Sequence, residues 1–137
     1  MVSVQAEVLI PGRAAAATAL ALTAPISFWG GVDPKSGLVA DPRHPENGEL
    51  VAGKVLFVPE TVGSSSAAAI LLELVHARRA PVAIVLHEPD AILLLGLIVA
   101  KEMGLETPIA VRLDRSRYNE FAGRTVAVSD KGILSVA

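Results

Sequence analysis

Three consecutive serines follow a glycine where a short apolar run gives way to a predicted helix. The run Lys54–Pro59 is typical of a buried strand, and Gly63-Ser64-Ser65-Ser66 then opens a helix that extends to about Arg79. The first N–H groups of a helix lack partners and its dipole is positive there, so this position favours anions. Ser64 could cap the helix, bind a carboxylate or phosphate, or act as a stabilised alkoxide, and the spacing alone favours the cap. The run lacks the glycine spacing and the lysine of a P-loop.

A second polar cluster, His87-Glu88-Pro89-Asp90, follows the next predicted strand, at the end of a parallel strand where ligands collect. Its side chains could bind a metal or move protons. We predict no metal site, because His44 and His76 show no ligand spacing relative to His87. We favour instead an Asp90 that caps the following helix and a Glu88 that is solvated. The sequence supports no Ser–His–Asp triad.

A third motif, Phe28-Trp29-Gly30-Gly31-Val32-Asp33-Pro34, joins a lone tryptophan to a glycine pair. It lies within the segment 27–49, which is rich in Gly, Pro, Asp and Asn, and a connection of this length is more often functional than idle. The motif indicates a tight turn whose aromatic ring anchors a loop or a partner. Core packing of the ring beside a turn explains the composition equally well.

The composition excludes several classes of protein. With 137 residues, 52% of them hydrophobic and 19% charged, the chain is long enough for one domain and too apolar to be disordered. A net charge of −2 gives no excess of positive charge with which to bind nucleic acid or an anionic membrane. Cysteine is absent, which excludes disulfides, a thiol nucleophile and a thiolate-held iron–sulfur cluster within this chain. The excess of aliphatic residues suggests that a partner covers one face.

Two apolar stretches raise the question of a membrane segment. Residues 14–32 are rich in alanine and contain Pro25 and a glycine pair, whereas a spanning helix needs about 20 strongly apolar residues. Residues 91–100 are half that length and are bounded by Asp90 and Lys101. We expect no secretory leader after Met1, because Glu7 lies where a basic segment should be. We therefore expect a soluble cytoplasmic protein.

The periodicity predicts strands at both ends of the chain and a β-α-β-α-β unit between them. Strands alternating with helices imply parallel pairing through right-handed crossovers. The second helix is apolar almost all round, so we expect it to be buried on more than one side. The predicted strands are Val2–Ile10, Thr18–Ile26, Lys54–Pro59, Pro81–Leu86, Thr107–Leu113, Arg124–Ser129 and Ile133–Val136, and the second helix is Ala91–Met103.

Taken together, these blocks resemble the swivel domain of the aconitase X family. The similar segments are ISFWGGVDPKSG, GKVLFVP, GSSSAAAILLEL and APVAIVLHEPDAILLLGLIVAKEMG, in that order between about Val8 and Leu113. The resemblance implies an α/β fold of the swivelling three-layer β/β/α type, with residues 1–137 forming one domain. A parallel central sheet would form one β layer. The chain termini and the Gly/Pro-rich segment would form an antiparallel second layer.

The resemblance also implies a division of labour between two subunits. In this family a large catalytic unit carries the cysteines of an iron–sulfur cluster, whose iron binds the departing hydroxyl of a hydroxy acid while a base removes the adjacent proton. The cysteine-free chain then resembles a free-standing small subunit of a heterodimeric hydro-lyase that is inactive alone. The family motif places the base on Ser64 and substrate binding on Gly63, Ser65 and Ser66. The active-site or partner loop would contain Trp29, Gly30, Gly31 and Asp33.

Two substrates divide the family, and two other classes of function remain open. Trp29, the serine triplet and residues 88–90 favour the bacterial type, which dehydrates cis-3-hydroxy-L-proline to 1-pyrroline-2-carboxylate, over the archaeal phosphomevalonate dehydratase. Residues 60–62 depart from the family, whose members commonly carry basic and glycine residues there. A phosphohistidine carrier is disfavoured because no histidine adjoins Ser64. A non-catalytic anion-binding module is the remaining alternative.

Overall fold

The computed structural model describes residues 2–136 and contains one mixed sheet of eight strands within that range. Their order across the sheet is β1-β8-β7-β3-β4-β5-β6-β2. The strands are β1 Val2–Gln5, β2 Glu7–Ile10, β3 Ala15–Ala21, β4 Val55–Val58, β5 Ala83–Leu86, β6 Ile109–Arg112, β7 Thr125–Val128 and β8 Ile133–Val136. The helical segments are a single turn α1 (Phe28–Gly31), helix α2 (Ala67–His76), helix α3 (Ala91–Glu102) and a 3-10 helix (Arg115–Glu120).

The sheet divides into two layers because two segments of the chain pass from one layer to the other. The predicted strand at the N-terminus is interrupted at Ala6, so β1 pairs with β8 at one end of the strand order and β2 pairs with β6 at the other. Strand β3 is antiparallel to β7 over residues 15–18 and parallel to β4 over residues 19–21. Strands β3, β4, β5 and β6 are parallel, and β1, β7 and β8 form the antiparallel layer.

Two hydrophobic clusters lie on opposite sides of the parallel strands. Within β4, Val55 and Phe57 face the antiparallel layer, whereas Leu56 and Val58 face the helices. All four side chains are buried, as expected for a parallel strand that is covered on both faces. This arrangement confirms the predicted three-layer β/β/α architecture.

The two long helices pack closely against each other through a glycine. A Cβ atom added at Gly96 of α3 would lie 2.5 Å from the carbonyl oxygen of Ala68 in α2. Only a residue without a side chain therefore permits this approach. The observed helices are shorter than predicted at their ends: α2 begins at Ala67 rather than Ser64, and α3 ends at Glu102.

One structural prediction held only in part and another was wrong. Helix α3 packs against both α2 and the sheet, as expected for burial on more than one side, but its outer face is open to solvent. The Gly/Pro-rich segment adds no named strand to the antiparallel layer within residues 2–136. It joins the helix-side cluster instead, through Phe28, Val32 and Val39, because its many turns and prolines interrupt strand pairing.

Within residues 2–136, none of the helices combines the length and the apolar character required to cross a bilayer.

Candidate active site

The serine and tryptophan motifs lie at the same edge of the parallel sheet. The chain leaves β3 and β4 at their carboxyl ends, and the two exits are joined by backbone hydrogen bonds. Ile26 N–H donates to the Glu60 carbonyl (3.1 Å), and Val62 N–H donates to the Ile26 carbonyl (2.9 Å). The structure thus brings together the turn α1, which follows Ile26, and the serine loop (Gly63–Ser66), which follows Val62. This is the edge at which parallel α/β sheets bind ligands.

Ser64 is half-buried, and its hydroxyl oxygen accepts a hydrogen bond in the turn just before α2. Ser66 N–H donates to Ser64 Oγ (3.2 Å), and Ala67 N–H donates to the Ser64 carbonyl (3.1 Å). Ser64 therefore caps the turn that precedes the helix, in partial agreement with the interpretation from spacing, while Ser66 occupies the N-cap position without a side-chain cap bond. A backbone N–H aimed at Oγ also stabilises an anion on that oxygen.

The neighbours of Ser64 in the serine loop are at least partly open to solvent. Gly63 and Ser65 are exposed and Ser66 is half-buried. A Cβ atom at Gly63 would meet no atom within 4 Å, so the space beside this residue is unfilled by the protein. Backbone N–H groups and hydroxyls at a helix N-terminus can bind a carboxylate or a phosphate.

A carboxylate connects the residues just before the serine loop to the start of α3. Asp90 Oδ1 accepts hydrogen bonds from Ile92 N–H and Leu93 N–H, both at 3.1 Å, which confirms the predicted cap. Its other oxygen, Oδ2, accepts a hydrogen bond from Thr61 Oγ1 at 2.8 Å. The role of Thr61 was not predicted, and the only signal for it was the departure of residues 60–62 from the family pattern.

His87 is held by the structure around it. Its Nδ1 accepts a hydrogen bond from Arg115 N–H (3.0 Å), and its carbonyl accepts one from Arg112 Nε (2.9 Å). The remaining ring nitrogen lies 3.8 Å from Oε1 of the exposed Glu88. Within residues 2–136 no three His, Cys, Asp or Glu side chains converge to hold a metal ion.

The tryptophan is a surface residue, while its neighbour Phe28 belongs to the core. Trp29 is 59% exposed and Phe28 only 1%, which decides against core packing of the indole ring. Gly30 has a φ of +81°, a conformation that side chains rarely adopt, and Ser27 Oγ donates to the Trp29 carbonyl (3.0 Å). The turn thus holds the indole ring outward, whereas Gly31 is buried against Ile26.

The Asp33 carboxylate accepts hydrogen bonds from its own loop. Its Oδ1 accepts a hydrogen bond from Lys35 N–H and its Oδ2 accepts one from Ser36 Oγ, both at 2.9 Å. The Lys35 N–H, followed by the Ser36 hydroxyl, holds the pKa of the Asp33 carboxyl below its usual value. Asp33 therefore shapes the loop that follows the tryptophan turn.

His44 ties the long loop to the end of β3. The ring is buried, with Nε2 donating to the Ala24 carbonyl (3.2 Å) and Nδ1 accepting from Glu46 N–H (3.0 Å). The Glu46 carboxylate in turn accepts hydrogen bonds from the backbone and the hydroxyl of Thr23. These contacts use both ring nitrogens of His44 and leave neither for a metal.

Residues 3–136 match the sequence model of the aconitase X swivel domain. The chain belongs to this family. Beyond the segments between about Val8 and Leu113, the match includes β8 and all of β1 except Val2.

Two relatives show how this swivel domain occurs in other proteins. The chain is 48% identical over 98 residues to cis-3-hydroxy-L-proline dehydratase of Pseudomonas aeruginosa, which covers 71% of this chain but only 17% of that enzyme. It is 36% identical over 97 residues to the phosphomevalonate dehydratase small subunit of Methanopyrus kandleri, which covers 71% of this chain and 68% of that subunit. The chain thus spans less than a fifth of the length of the first relative and about two thirds of the length of the second.

The fold is shared with a solved member of the family. The crystal structure of aconitase X (holo-form) from Thermococcus kodakaraensis superposes with a TM-score of 0.85 at 27% identity, over 100% of this chain and 99% of that chain. The predicted family and fold are therefore confirmed.

Proposed function

We propose that this swivel domain is the small subunit of an aconitase X-type hydro-lyase and that Ser64 is the base of the reaction. The observation that carries the proposal is the placement of the Ser64 hydroxyl. It lies half-buried at the ligand-binding edge of the sheet, with Ser66 N–H donating to its oxygen. The relatives named as dehydratases support the reaction class, a loss of water from a hydroxy acid.

In the proposed reaction the Ser64 alkoxide takes a proton from the carbon next to the one that bears the hydroxyl. The electrons of the broken C–H bond form the new double bond, and hydroxide leaves from the adjacent carbon. A serine is a weak base unless its anion is stabilised. The start of α2 contributes about 0.3–2 kcal/mol to that stabilisation. Cationic groups of the large subunit or of the substrate must therefore supply the rest.

The serine loop also provides a site for the acid group of the substrate. The exposed Ser65 and the half-buried Ser66 carry hydroxyls, and the backbone of Gly63 is exposed beside them. We propose that these groups bind the carboxylate, which keeps the reacting C–H bond near Ser64. Trp29 and Gly30, on the turn at the same edge, would border the bound substrate or the large subunit.

The iron–sulfur cluster implied by the family resemblance does not fit the residues of this chain. None of the 137 residues is cysteine, so the chain offers no thiolate ligands. We therefore place the cluster on the large subunit and assign it no residue here. This division predicts that the chain alone does not dehydrate either substrate.

The favoured substrate is cis-3-hydroxy-L-proline. The support is the identity to the Pseudomonas aeruginosa dehydratase, 48%, against 36% to the Methanopyrus kandleri small subunit. Phosphomevalonate is the second candidate, because the relatives with that name are small subunits of comparable length. Both substrates carry a carboxylate, so a helix N-terminus by itself does not distinguish them.

The test is turnover by the small subunit reconstituted with its purified large subunit. We expect Ser64→Ala to lower kcat by about 100-fold or more, because the proton acceptor is lost. Ser65→Ala should mainly raise KM, because it removes a contact to the carboxylate. Ser3→Ala, at an exposed serine of β1, is the matched control and should leave both constants unchanged. Each variant is assayed with cis-3-hydroxy-L-proline and with phosphomevalonate.

Two results would overturn the proposal. If Ser64→Ala retains the wild-type kcat, Ser64 is not the base and the non-catalytic anion-binding module becomes the better interpretation. If the chain dehydrates either substrate without a large subunit, the proposed division of labour is wrong. Exchange of the substrate proton with deuterated solvent gives a second readout, since only an active base catalyses it.

A further inference from the structure

Helix α3 presents an uncovered apolar face to solvent. The side chains of this α3 face are between 38% and 56% exposed, and no charged residue interrupts the helix between Asp90 and Lys101. The members of the α3 face are Ile92, Leu95, Ile98, Val99 and Met103. Ile92, Leu95 and Val99, with Met103 at the C-cap, recur every three or four residues. They form a stripe along a helix of 12 residues, which is about 18 Å long. Stripes of this kind on a small domain commonly mark interaction sites.

The fold itself does not require this face to be apolar. Helix α2 belongs to the same layer and contacts the same cluster, yet its exposed positions include Glu73 and His76. The side chains that anchor α3 are different ones, Leu93 and Leu97, and these are fully buried. The exposed residues of α3 thus contribute little to the core of the domain.

The α3 face begins beside the proposed base. Helix α3 starts after Asp90, which accepts the hydrogen bond from Thr61, and Thr61 lies three residues before Ser64. Val62 and Trp29, at 54% and 59% exposure, add apolar surface at the same edge of the sheet. A partner seated on the α3 face is therefore in a position to complete a site around Ser64.

We propose that the α3 face is the docking surface for the large subunit. This inference rests on the proposed function, which requires a second subunit at the Ser64 edge. The relatives support this occupant in two ways. In the Pseudomonas aeruginosa enzyme the region that matches this chain is 17% of the protein, so the rest of that enzyme is available to cover such a face. The Methanopyrus kandleri relative is named a small subunit, which implies a large one.

The test compares lysine substitutions on and off the α3 face. Leu95→Lys and Val99→Lys place a charge in the stripe at half-exposed positions, where the fold should tolerate it. Ile133→Lys is the matched control, because Ile133 is 38% exposed, as Val99 is, but lies on β8 in the antiparallel layer. Calorimetric titration of each variant with the purified large subunit measures the dissociation constant. We expect the two α3 variants to weaken binding by about tenfold or more and the control to stay within about twofold.

Kinetics separate this proposal from the assignment of the base. Leu95→Lys should regain wild-type kcat at saturating large subunit, because Ser64 is intact, whereas Ser64→Ala should bind normally and turn over slowly. If Leu95→Lys and Val99→Lys bind as the wild type does, the docking proposal is overturned even when Ser64→Ala is inactive. If the α3 variants bind weakly while Ser64→Ala stays active, docking stands and the assignment of the base fails.

Sedimentation of the isolated chain tests the alternative that a second copy of the same chain covers the α3 face. A wild-type dimer that Leu95→Lys dissociates, together with unchanged binding of the large subunit, would overturn the proposal in favour of self-association. Circular dichroism confirms that each variant is folded. If either lysine variant unfolds, Leu95→Gln measures the contribution of the same position without a charge.

Discussion

Thr61 Oγ1 donates a hydrogen bond to Asp90 Oδ2 at 2.8 Å, while the other oxygen of the same carboxylate caps α3. One side chain thus joins the loop that leads to Ser64 with the first turn of α3. The backbone bonds of Ile26 to Glu60 and Val62 secure the same loop to the exit of β3. The position of the proposed base is therefore set by three elements that are distant in sequence.

Replacing Thr61 with valine should disturb catalysis more than folding. Thr61→Val keeps the shape of the side chain but removes the hydrogen bond to Asp90, which lowers the free energy of unfolding by about 1 kcal/mol. Because a small displacement of Ser64 impairs proton transfer, kcat of the reconstituted enzyme should fall by about tenfold with KM little changed. Steady-state kinetics and urea denaturation measure the two effects. Thr125→Val, at an exposed threonine of β7, is the control. An unchanged kcat in Thr61→Val would exclude a positioning role for Thr61.

Replacing Gly96 with alanine should destabilise the domain although alanine favours helices. The added methyl group would meet the Ala68 carbonyl oxygen at 2.5 Å, so α2 and α3 must move apart, at a cost of about 1–3 kcal/mol. Because the obstacle is a backbone atom, adding Ala68→Gly should not restore the stability. The free energy of unfolding in urea provides the measurement. A Gly96→Ala variant more stable than the wild type would show that helix propensity outweighs the contact.

Tyr118 should make the stability of the domain fall at alkaline pH. Its hydroxyl donates to the Val58 carbonyl (2.9 Å), and burial raises the pKa of the phenol above its usual value. The unfolded chain then loses this proton near pH 10, while the folded protein keeps it. The protonated phenol contributes its full stabilisation below about pH 10, and this contribution is lost as pH rises toward the pKa of the folded state. Between about pH 8 and pH 11, the free energy of unfolding of the wild type should therefore fall by about 1 kcal/mol more than that of Tyr118→Phe.

Urea unfolding at the two pH values compares the proteins directly. Tyr118→Phe keeps the aromatic contact with Phe57, whose ring centroid lies 5.1 Å from that of Tyr118. Tyr118 is also the single tyrosine of the chain, so the absorbance of the phenolate reports its ionisation without interference from another tyrosine. Parallel stability curves for the two proteins would contradict the raised pKa.

Much of the fold could be predicted because its parallel strands have a strong local signature. The runs around Val55–Val58, Ala83–Leu86 and Ile109–Arg112 are continuously apolar, and a strand covered on both faces needs this composition. The start of α2 was located to within a few residues by the turn chemistry of the serine loop. The open outer face of α3 was not predicted, for a related reason. A helix that is apolar on all sides contains no periodic signal to show which side the core covers.

Two features of the site likewise could not be predicted from local sequence. Phe28 and Trp29 are adjacent aromatic residues, and no local preference reveals that the first enters the core while the second faces solvent. The bond between Thr61 and Asp90 joins residues 29 positions apart, a separation that no short sequence motif spans.

The residue types and their spacing were sufficient to establish most of the strands, the two long helices, the serine loop and the family resemblance. Backbone preferences and hydrophobic periods act between neighbours in the chain. The predicted strand Thr18–Ile26 nevertheless lies at Ala15–Ala21. The three-dimensional packing alone decided that β1 and β2 separate to opposite ends of the sheet, that Trp29 points outward and that α3 keeps an open apolar face. Burial depends on which distant segments meet, and only the assembled layers determine those contacts.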